Sequence, residues 1–264
     1  MSVSDYIKQL QSYEEYAFSM EELLSNSNAP EATLRKELAR LMEKGEVFNL
    51  RHGFYLIIPP RYQNFGKLPV QLYVNKLFSF LDKKYYVGLY SAAAYHGAGH
   101  QKIQQDYIVT IPPALRDIDK EKTKLRFFLT KHWPEQNLIE GKSDAGYFKV
   151  SSPALTAADL LYHHQRVGGI NRMLSNIEEL AEEISKADVE NLLTWYPHKS
   201  TLQRLGYLLE EFQIDESITN MMYDHLRKEK FYSILLSPKK DQKAGRTGNR
   251  WKIDVNINLE SDLI

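Results

Sequence analysis

Acidic residues in the segment 113–124 are the first candidates for chemistry in this sequence. Asp117 and Asp119 are two residues apart and Glu121 stands between two lysines, so these carboxylates could be fitted to a metal-dependent nuclease. Two-metal catalysis, however, needs ligands about 4 Å apart on rigid elements. The segment has the composition of a polar connector, and we interpret its carboxylates as surface charge.

Histidines offer a second candidate. His96 and His100 have the four-residue spacing that can ligate zinc, but Gly97 and Gly99 lie between them and no third ligand is near in the sequence. The sequence also lacks the phosphate-binding loop, the dinucleotide fingerprint, the zincin and serine-hydrolase motifs, and the paired aspartates of a nucleotidyltransferase. We therefore predict a protein that is not an enzyme and that binds no metal or cofactor.

The segment 30–44 indicates a different chemistry, contact with DNA. If it is a helix, one side carries small residues, which let the backbone approach a partner, and cations, which reach base edges or phosphates. We predict that Ala32, Thr33, Lys36 and Arg40 face base edges and that Arg35, Arg51 and His52 lie on phosphate or in the minor groove. The alternative is that Lys36 and Arg40 only solvate the outer face of an ordinary amphipathic helix.

Local signals position this helix. Pro30 suits the first helical position, and Asn28 can accept a hydrogen bond from a free N–H at the helix start. Gly45 suits a left-handed C-terminal cap. The predicted apolar stripe consists of Leu34, Leu38 and Leu41.

The flanking segments complete a familiar arrangement. Two β-prone runs, 46–50 and 54–57, are joined by Arg51-His52-Gly53, which favours a tight hairpin. Upstream, Tyr6 to Tyr13 suit a first helix, and Ser19-Met20-Glu21-Glu22 is a capping box that opens a second. The order predicts a winged helix-turn-helix, in which the third helix enters the major groove and the wing lies on an adjacent backbone or minor groove.

Charge limits how this module would bind. The chain is neutral overall, and residues 1–62 hold nine acids against seven bases, whereas residues 30–62 hold six bases against four acids. We expect a few local phosphate and base contacts, with a modest salt dependence of about −0.9 in slope per neutralised phosphate.

Length and composition bound the rest. A chain of 264 residues that is 43% apolar suits two domains, and the prolines after Ile58 predict a boundary near residue 62, which gives domains 1–62 and 63–264. The absence of cysteine excludes disulfides, Cys-ligated zinc and thiol catalysis. With no apolar run near 18 residues and no signal-peptide pattern, we expect a soluble cytoplasmic protein without membrane contact.

The second domain is predicted to be mixed α/β with a helical C-terminal part. Helices are expected at 69–81, from a Ser91 cap to Gly97, and from Ser152-Pro153 through Leu161. Further helices are expected at about 168–184, 187–195, 199–212 and 216–228, with Gly206 allowing close packing. Strands are predicted at 106–111, 125–129, 147–150, 231–236 and 251–257, and His163, His164 and Arg166 are expected to complement a helix dipole.

A second concentration of positive charge lies near the C-terminus. Residues 227–252 carry nine bases against two acids, and Gly245-Arg246-Thr247-Gly248 adds backbone N–H groups that could meet phosphate. A solvated loop is the alternative. The candidate second nucleic-acid or antitoxin surface consists of Arg227, Lys228, Lys230, Arg246, Arg250 and Lys252.

Four segments resemble the AbiEi antitoxin family of bacterial type IV toxin–antitoxin and abortive-infection systems. They are RHGFY (51–55), GLYSAAAYHG (88–97), VSSPALTAADLL (150–161) with Gly168-Gly169 beyond, and RWKIDVN (250–256). The resemblance implies a DNA-binding domain that represses its own operon at inverted repeats. It also implies an antitoxin domain that opposes a nucleotidyltransferase-like toxin, AbiEii, encoded beside it, without deciding whether the two proteins touch.

The sequence therefore predicts an α+β protein that is an autorepressor and antitoxin. One alternative is a protein-interaction module whose winged domain docks a partner such as the toxin, without sequence-specific DNA binding. An enzyme acting on nucleic acid or on the toxin is a third hypothesis, which only the basic C-terminal loop favours.

Overall fold

The computed structural model describes residues 1–99, 104–239 and 241–259 and has the predicted α+β composition. The described residues fall into two compact units. The first comprises residues 1–86, 104–129 and 140–149, and the second the described residues of 87–103, 130–139 and 150–264. The domain boundary near residue 62 remains a prediction.

The N-terminal part of the first unit alternates helices with short strands. In chain order these are α1 (Val3–Ser12), β1 (Ala17–Ser19), α2 (Met20–Ser25), α3 (Glu31–Glu43), β2 (Val47–Arg51) and β3 (Phe54–Ile57). The strands form an antiparallel sheet in the order β1-β3-β2. One apolar core joins the helices to the sheet and includes Tyr6, Leu10, Phe18, Leu23, Leu34, Leu38, Val47 and Tyr55.

Caps fix the ends of these helices. The predicted capping box is confirmed, because the Glu22 amide donates to Ser19 Oγ at 3.0 Å and the Ser19 amide donates to Glu22 Oε2 at 2.7 Å. Gly45 has a φ of +69° and ends α3 as predicted. The helix starts next to Pro30 as expected, but its cap was wrongly predicted, since Pro30 is itself the capping residue and no side chain, that of Asn28 included, caps the helix.

The rest of the first unit holds α4 (Pro60–Gln63), α5 (Val74–Phe80) and most of a six-stranded sheet. Its strands are β4 (Tyr85–Val87), β5 (Asp106–Thr110), β6 (Ile118–Lys120), β7 (Thr123–Leu129), β8 (Leu138–Ser143) and β9 (Gly146–Ser151), in the order β6-β7-β5-β4-β9-β8. β5 pairs with β7 and β4 with β9 in parallel, whereas β6 and β7 are antiparallel.

Two predictions fail in this unit. The helix expected at 69–81 is a 3-10 turn, Val70–Leu72, followed by α5, because the backbone of Tyr73 leaves helical geometry at a φ of −140°. The segment 113–124 is not a plain connector, since it contains β6.

The second unit is mainly helical, as predicted. It contains α6 (Leu89–Tyr95), α7 (Pro153–Tyr162), α8 (Ile170–Glu183), α9 (Lys186–Trp195), α10 (Lys199–Glu211), α11 (Glu216–Arg227), β10 (Ile234–Leu235) and β11 (Ile253–Asp254). Residues 154–161 of α7 are buried, and α7 packs against α6, α8, α9 and α10. Gly88 rather than Ser91 precedes α6, so the predicted Ser91 cap was wrong.

Side chains of α10 hold the C-terminal segment in place. Gln203 Nε2 donates to the carbonyl oxygens of Tyr232 and Trp251 at 3.0 and 2.9 Å. A Cβ at Gly206 would overlap the Trp251 ring, so the predicted close packing at this glycine is confirmed. β10 and β11 pair in parallel over two residues each, which makes them shorter than predicted. Within the described ranges, no helix is long and apolar enough to cross a membrane.

Candidate nucleic-acid interface

The core side of α3 is fixed firmly. Leu34, Leu38 and Leu41 are 0%, 1% and 6% exposed, which confirms the predicted apolar stripe. Full burial of a leucine side chain contributes roughly 1.5–3 kcal/mol. Glu37 Oε2 also accepts a hydrogen bond of 2.9 Å from the Val3 amide at the start of α1. The opposite side of α3 therefore faces outward in one defined orientation.

That outward side carries the predicted base-contacting residues. Ala32, Thr33, Lys36 and Arg40 are all exposed. The Lys36 and Arg40 side chains make no ion pair with any described residue. Two cations one helical turn apart thus project from a rigid helix beside small side chains, which is an arrangement that a DNA groove can accept.

Arg35 differs from these two cations because it already has a partner. Its Nη2 lies 2.5 Å from Glu31 Oε1, and its Nε donates to the same oxygen at 2.8 Å. Both side chains are about half exposed, and an exposed i,i+4 pair contributes only about 0.3–0.5 kcal/mol. A phosphate can replace this pair at little cost.

The hairpin turn after β2 has the predicted position. His52 is exposed at the turn and Gly53 has a φ of +75°. Arg51 is half-buried, and its Nη1 atom is buried without a hydrogen-bond partner in the described part of the chain. A phosphate contact by Arg51 therefore requires its side chain to turn outward, whereas His52 needs no rearrangement.

Two supports of this turn were missed by sequence reasoning. The Gly53 carbonyl accepts a hydrogen bond of 2.8 Å from the Met20 amide, and the Phe54 ring packs against the Phe80 ring with centroids 5.2 Å apart. Phe80 gives no sequence signal for this role, because it belongs to a separate helix far along the chain. The turn is consequently packed against two helices.

An acidic patch beside α2 is partly neutralised. Lys76 Nζ lies 2.6 Å from Glu22 Oε1 and 3.4 Å from Glu15 Oε2. Burial alone would raise the pKa of Glu22, but hydrogen bonds from Lys76 and Ser19, together with the Lys76 charge, lower it overall. Lys76 thus offsets some of the negative charge that would repel a polyanion.

The basic C-terminal segment lies in the second unit, and its members have different roles. Arg250 Nε lies 2.9 Å from Glu210 Oε2 and its guanidinium stands over the Trp251 ring, while Lys252 Nζ donates to the Phe231 carbonyl at 3.0 Å. These two side chains stabilise the segment itself. The residues left exposed are Arg227, which pairs with Asp224, and Lys228, Lys230 and Arg246.

The carboxylates and histidines considered for metal chemistry are engaged elsewhere. Asp117 Oδ1 accepts a hydrogen bond from the Phe127 amide, and Asp119 pairs with Arg126, both at 2.9 Å. His96 Nε2 lies 2.7 Å from the Ser151 carbonyl oxygen, and His100 lies outside the described residues. Among those that are described, no three His, Cys, Asp or Glu side chains are grouped so that they could hold a metal ion.

Comparisons with known proteins agree with this architecture. A crystal structure titled "Crystal structure of RV2827C protein from Mycobacterium tuberculosis" matches with a TM-score of 0.65 over 95% of this chain and 89% of that one. The sequence identity is 14%, so the likeness concerns the fold. No match was found among curated proteins.

The family comparison is more specific. Residues 86–211 match the model of the AbiEi antitoxin C-terminal domain. The fold is α+β, and the similarity to an antitoxin family covers residues 86–211, a little under half of the chain. This match confirms the predicted resemblance to the AbiEi family over that segment, and it supports an antitoxin role in a type IV toxin–antitoxin system. The elements α1 to β3 precede the matched residues.

Proposed function

We propose that this protein is a DNA-binding autorepressor and the antitoxin of a bacterial type IV system. In this proposal residues 1–62 are a winged helix-turn-helix domain and residues 63–264 an antitoxin domain. The observation that carries the DNA-binding part is the division of α3 into two sides. One side is made of buried leucines, and the other exposes Lys36 and Arg40, which form no ion pair with the described residues.

The exposed side of α3 is suited to the major groove. That groove is about 12 Å wide and admits a helix, and the small Ala32 lets the backbone come close. Thr33, Lys36 and Arg40 then reach base edges, where each good contact is worth about 1–3 kcal/mol. Arg35 leaves Glu31 for a phosphate, and His52, with Arg51 turned outward, meets the adjacent backbone or minor groove.

The antitoxin part rests on the family match and on the residues that it covers. The functional partner is a nucleotidyltransferase-like toxin encoded beside this protein. Arg227, Lys228, Lys230 and Arg246 form the proposed second charged surface of the antitoxin domain, whereas Arg250 and Lys252 act within the fold.

Two readouts test the two parts separately. Fluorescence anisotropy with a labelled duplex from upstream of the protein's own gene should show binding that survives an excess of unrelated duplex. Co-expression with the neighbouring toxin should restore growth. Competition by unrelated DNA at equal concentration would exclude a specific repressor, and failure to restore growth would exclude an antitoxin for that toxin.

A further inference from the structure

A groove of about 720 Å³ lies in the first unit, at the end of α3. Lys44, just past α3, and Phe48 of β2 line one part of it, and the β6–β7 turn lines another with Lys120, Glu121 and Lys122. In the sequence, this turn is part of the segment 113–124, whose carboxylates we interpreted as surface charge, and no role was predicted for its lysines. The groove has the size of a small-molecule site, for which about 300–1,000 Å³ is usual.

Lys120 is held in place at the groove. Its Nζ donates to the carbonyl oxygen of Asn49 at 3.0 Å and lies 3.2 Å from Asn49 Oδ1. An ammonium group has three donors, so one remains for a ligand. The two amide acceptors orient the charge without neutralising it.

The Lys122 side chain lies close to Gly66. A Cβ built on Gly66 would lie 2.9 Å from Lys122 Cδ and 3.2 Å from Lys122 Nζ. Gly66 also has a φ of +59°, which disfavours other residues. The absence of a side chain at residue 66 therefore leaves the space that Lys122 occupies.

The charge around the groove is unbalanced. Lys44, Lys120 and Lys122 make no ion pair with any described residue, and Glu121 is the one acid among the lining residues. The negative end of the α3 dipole compensates Lys44, but it leaves the two lysines of the turn uncompensated. Ammonium groups that share one groove repel each other, and a multiply charged anion between them would remove that repulsion.

We propose that this groove binds a nucleoside polyphosphate. The three lysines hold the phosphates. The half-buried Phe48 ring and the exposed Met42 both line the groove and supply apolar surface, on which a base can stack at Phe48. Stacking tolerates any base, so purine and pyrimidine nucleotides are bound with similar affinity. The proposal is independent of DNA binding by α3.

Isothermal titration calorimetry of the full chain with ATP, without divalent metal, tests it. ATP should bind saturably with one site, and adenosine, which lacks the phosphates, should bind at least tenfold more weakly. Lys122→Glu and Lys44→Glu should each weaken ATP binding at least tenfold. Lys142→Glu reverses the charge of an exposed lysine outside the groove and should change nothing.

Fragments and variants separate the two halves of the site. Phe48→Ala should weaken binding of ATP but leave tripolyphosphate binding unchanged, since only the base stacks on the ring. Thermal unfolding of each variant shows whether it is folded. If a variant of the β6–β7 turn does not fold, Lys44→Glu still tests the proposal, because the Lys44 side chain makes no hydrogen bond or ion pair within the described chain.

Three results would overturn the proposal. The first is that ATP does not bind saturably at millimolar concentration. The second is that Lys122→Glu binds ATP as tightly as the parent. The third is that the groove variants lose operator DNA binding while ATP fails to bind. The last result would assign the groove to duplex phosphates. Lys36→Glu with Arg40→Glu should leave ATP binding intact, so failure of this proposal and failure of the DNA-binding proposal are distinguishable.

Discussion

The backbone amide of Met20, at the start of α2, donates a hydrogen bond of 2.8 Å to the carbonyl oxygen of Gly53 in the β2–β3 turn. The first N–H groups of a helix have no partner within the helix, and here the turn supplies one. The hairpin is thereby fixed to the helices, and its exposed His52 is held at a constant position relative to the outer side of α3.

Leu38→Ala tests whether the core holds α3. Leu38 is 1% exposed within the N-terminal core, and removing a buried leucine side chain costs about 2–5 kcal/mol. We expect a loss of that size in the free energy of unfolding, measured with urea, and weaker DNA binding. Ala39→Ser changes an exposed residue of the same helix and should shift the free energy by less than about 0.5 kcal/mol.

Gly206→Ala tests the packing of Trp251, in the C-terminal segment, against α10. A new Cβ would overlap the Trp251 ring, and overpacking of this kind costs about 1–3 kcal/mol, which exceeds the gain in helix propensity of about 1 kcal/mol. The melting temperature should fall. Gly248→Ala is the matched control, since its Cβ would enter open space; an unchanged melting temperature for Gly206→Ala would contradict the packing described.

His163 should make stability depend on pH. Burial, with the positive charge of Arg166 and the neighbouring His198 and His164, lowers its pKa from 6.5 to about 4. His163 is therefore neutral at pH 7. The prediction that its positive charge interacts with the dipole of a helix was wrong for this residue. Between pH 6.5 and about 4 the unfolded chain binds a proton that the folded chain does not, so stability falls as the pH falls.

Titration of His163 alone can change the free energy of unfolding by at most about 1.4 kcal/mol per pH unit. Urea unfolding of His163→Gln across this range should give a flatter profile than the parent. His52→Gln, which removes an exposed imidazole, should retain the parent profile. A His163→Gln profile as steep as that of the parent would show that other groups cause the dependence.

Sequence patterns predicted the helices and helix ends that are determined by residues close together in the chain. The leucine stripe and Gly45 define most of α3, Ser19 and Glu22 define the start of α2, and the helices of the second unit follow their own periodicity. β1 and β6, at three residues each, are too short for an alternating pattern to be recognised, and they form because β3 and β7 supply partners. The helix break at Tyr73 could not be predicted, because no helix-breaking residue stands there in the sequence.

In the candidate site, too, features set by local sequence were predictable and features set by tertiary packing were not. The outward direction of Lys36 and Arg40 follows from helical geometry alone, so it was predictable. The pairing of Arg35 with Glu31 was readable from their spacing. By contrast, the buried Nη1 of Arg51 and the contact of Phe54 with Phe80 depend on tertiary packing, which no short stretch of sequence encodes.

The proposed repressor function depends above all on DNA binding by the exposed side of α3. The most direct measurement is a gel shift of an upstream duplex at about 100 mM salt with Lys36→Glu and Arg40→Glu combined, against Lys142→Glu, which reverses the charge of one exposed lysine outside α3. Because each lost contact is worth about 1–3 kcal/mol, the double variant should retain no DNA complex, and the control should retain as much as the parent. Retention of the double variant equal to that of the parent would contradict it.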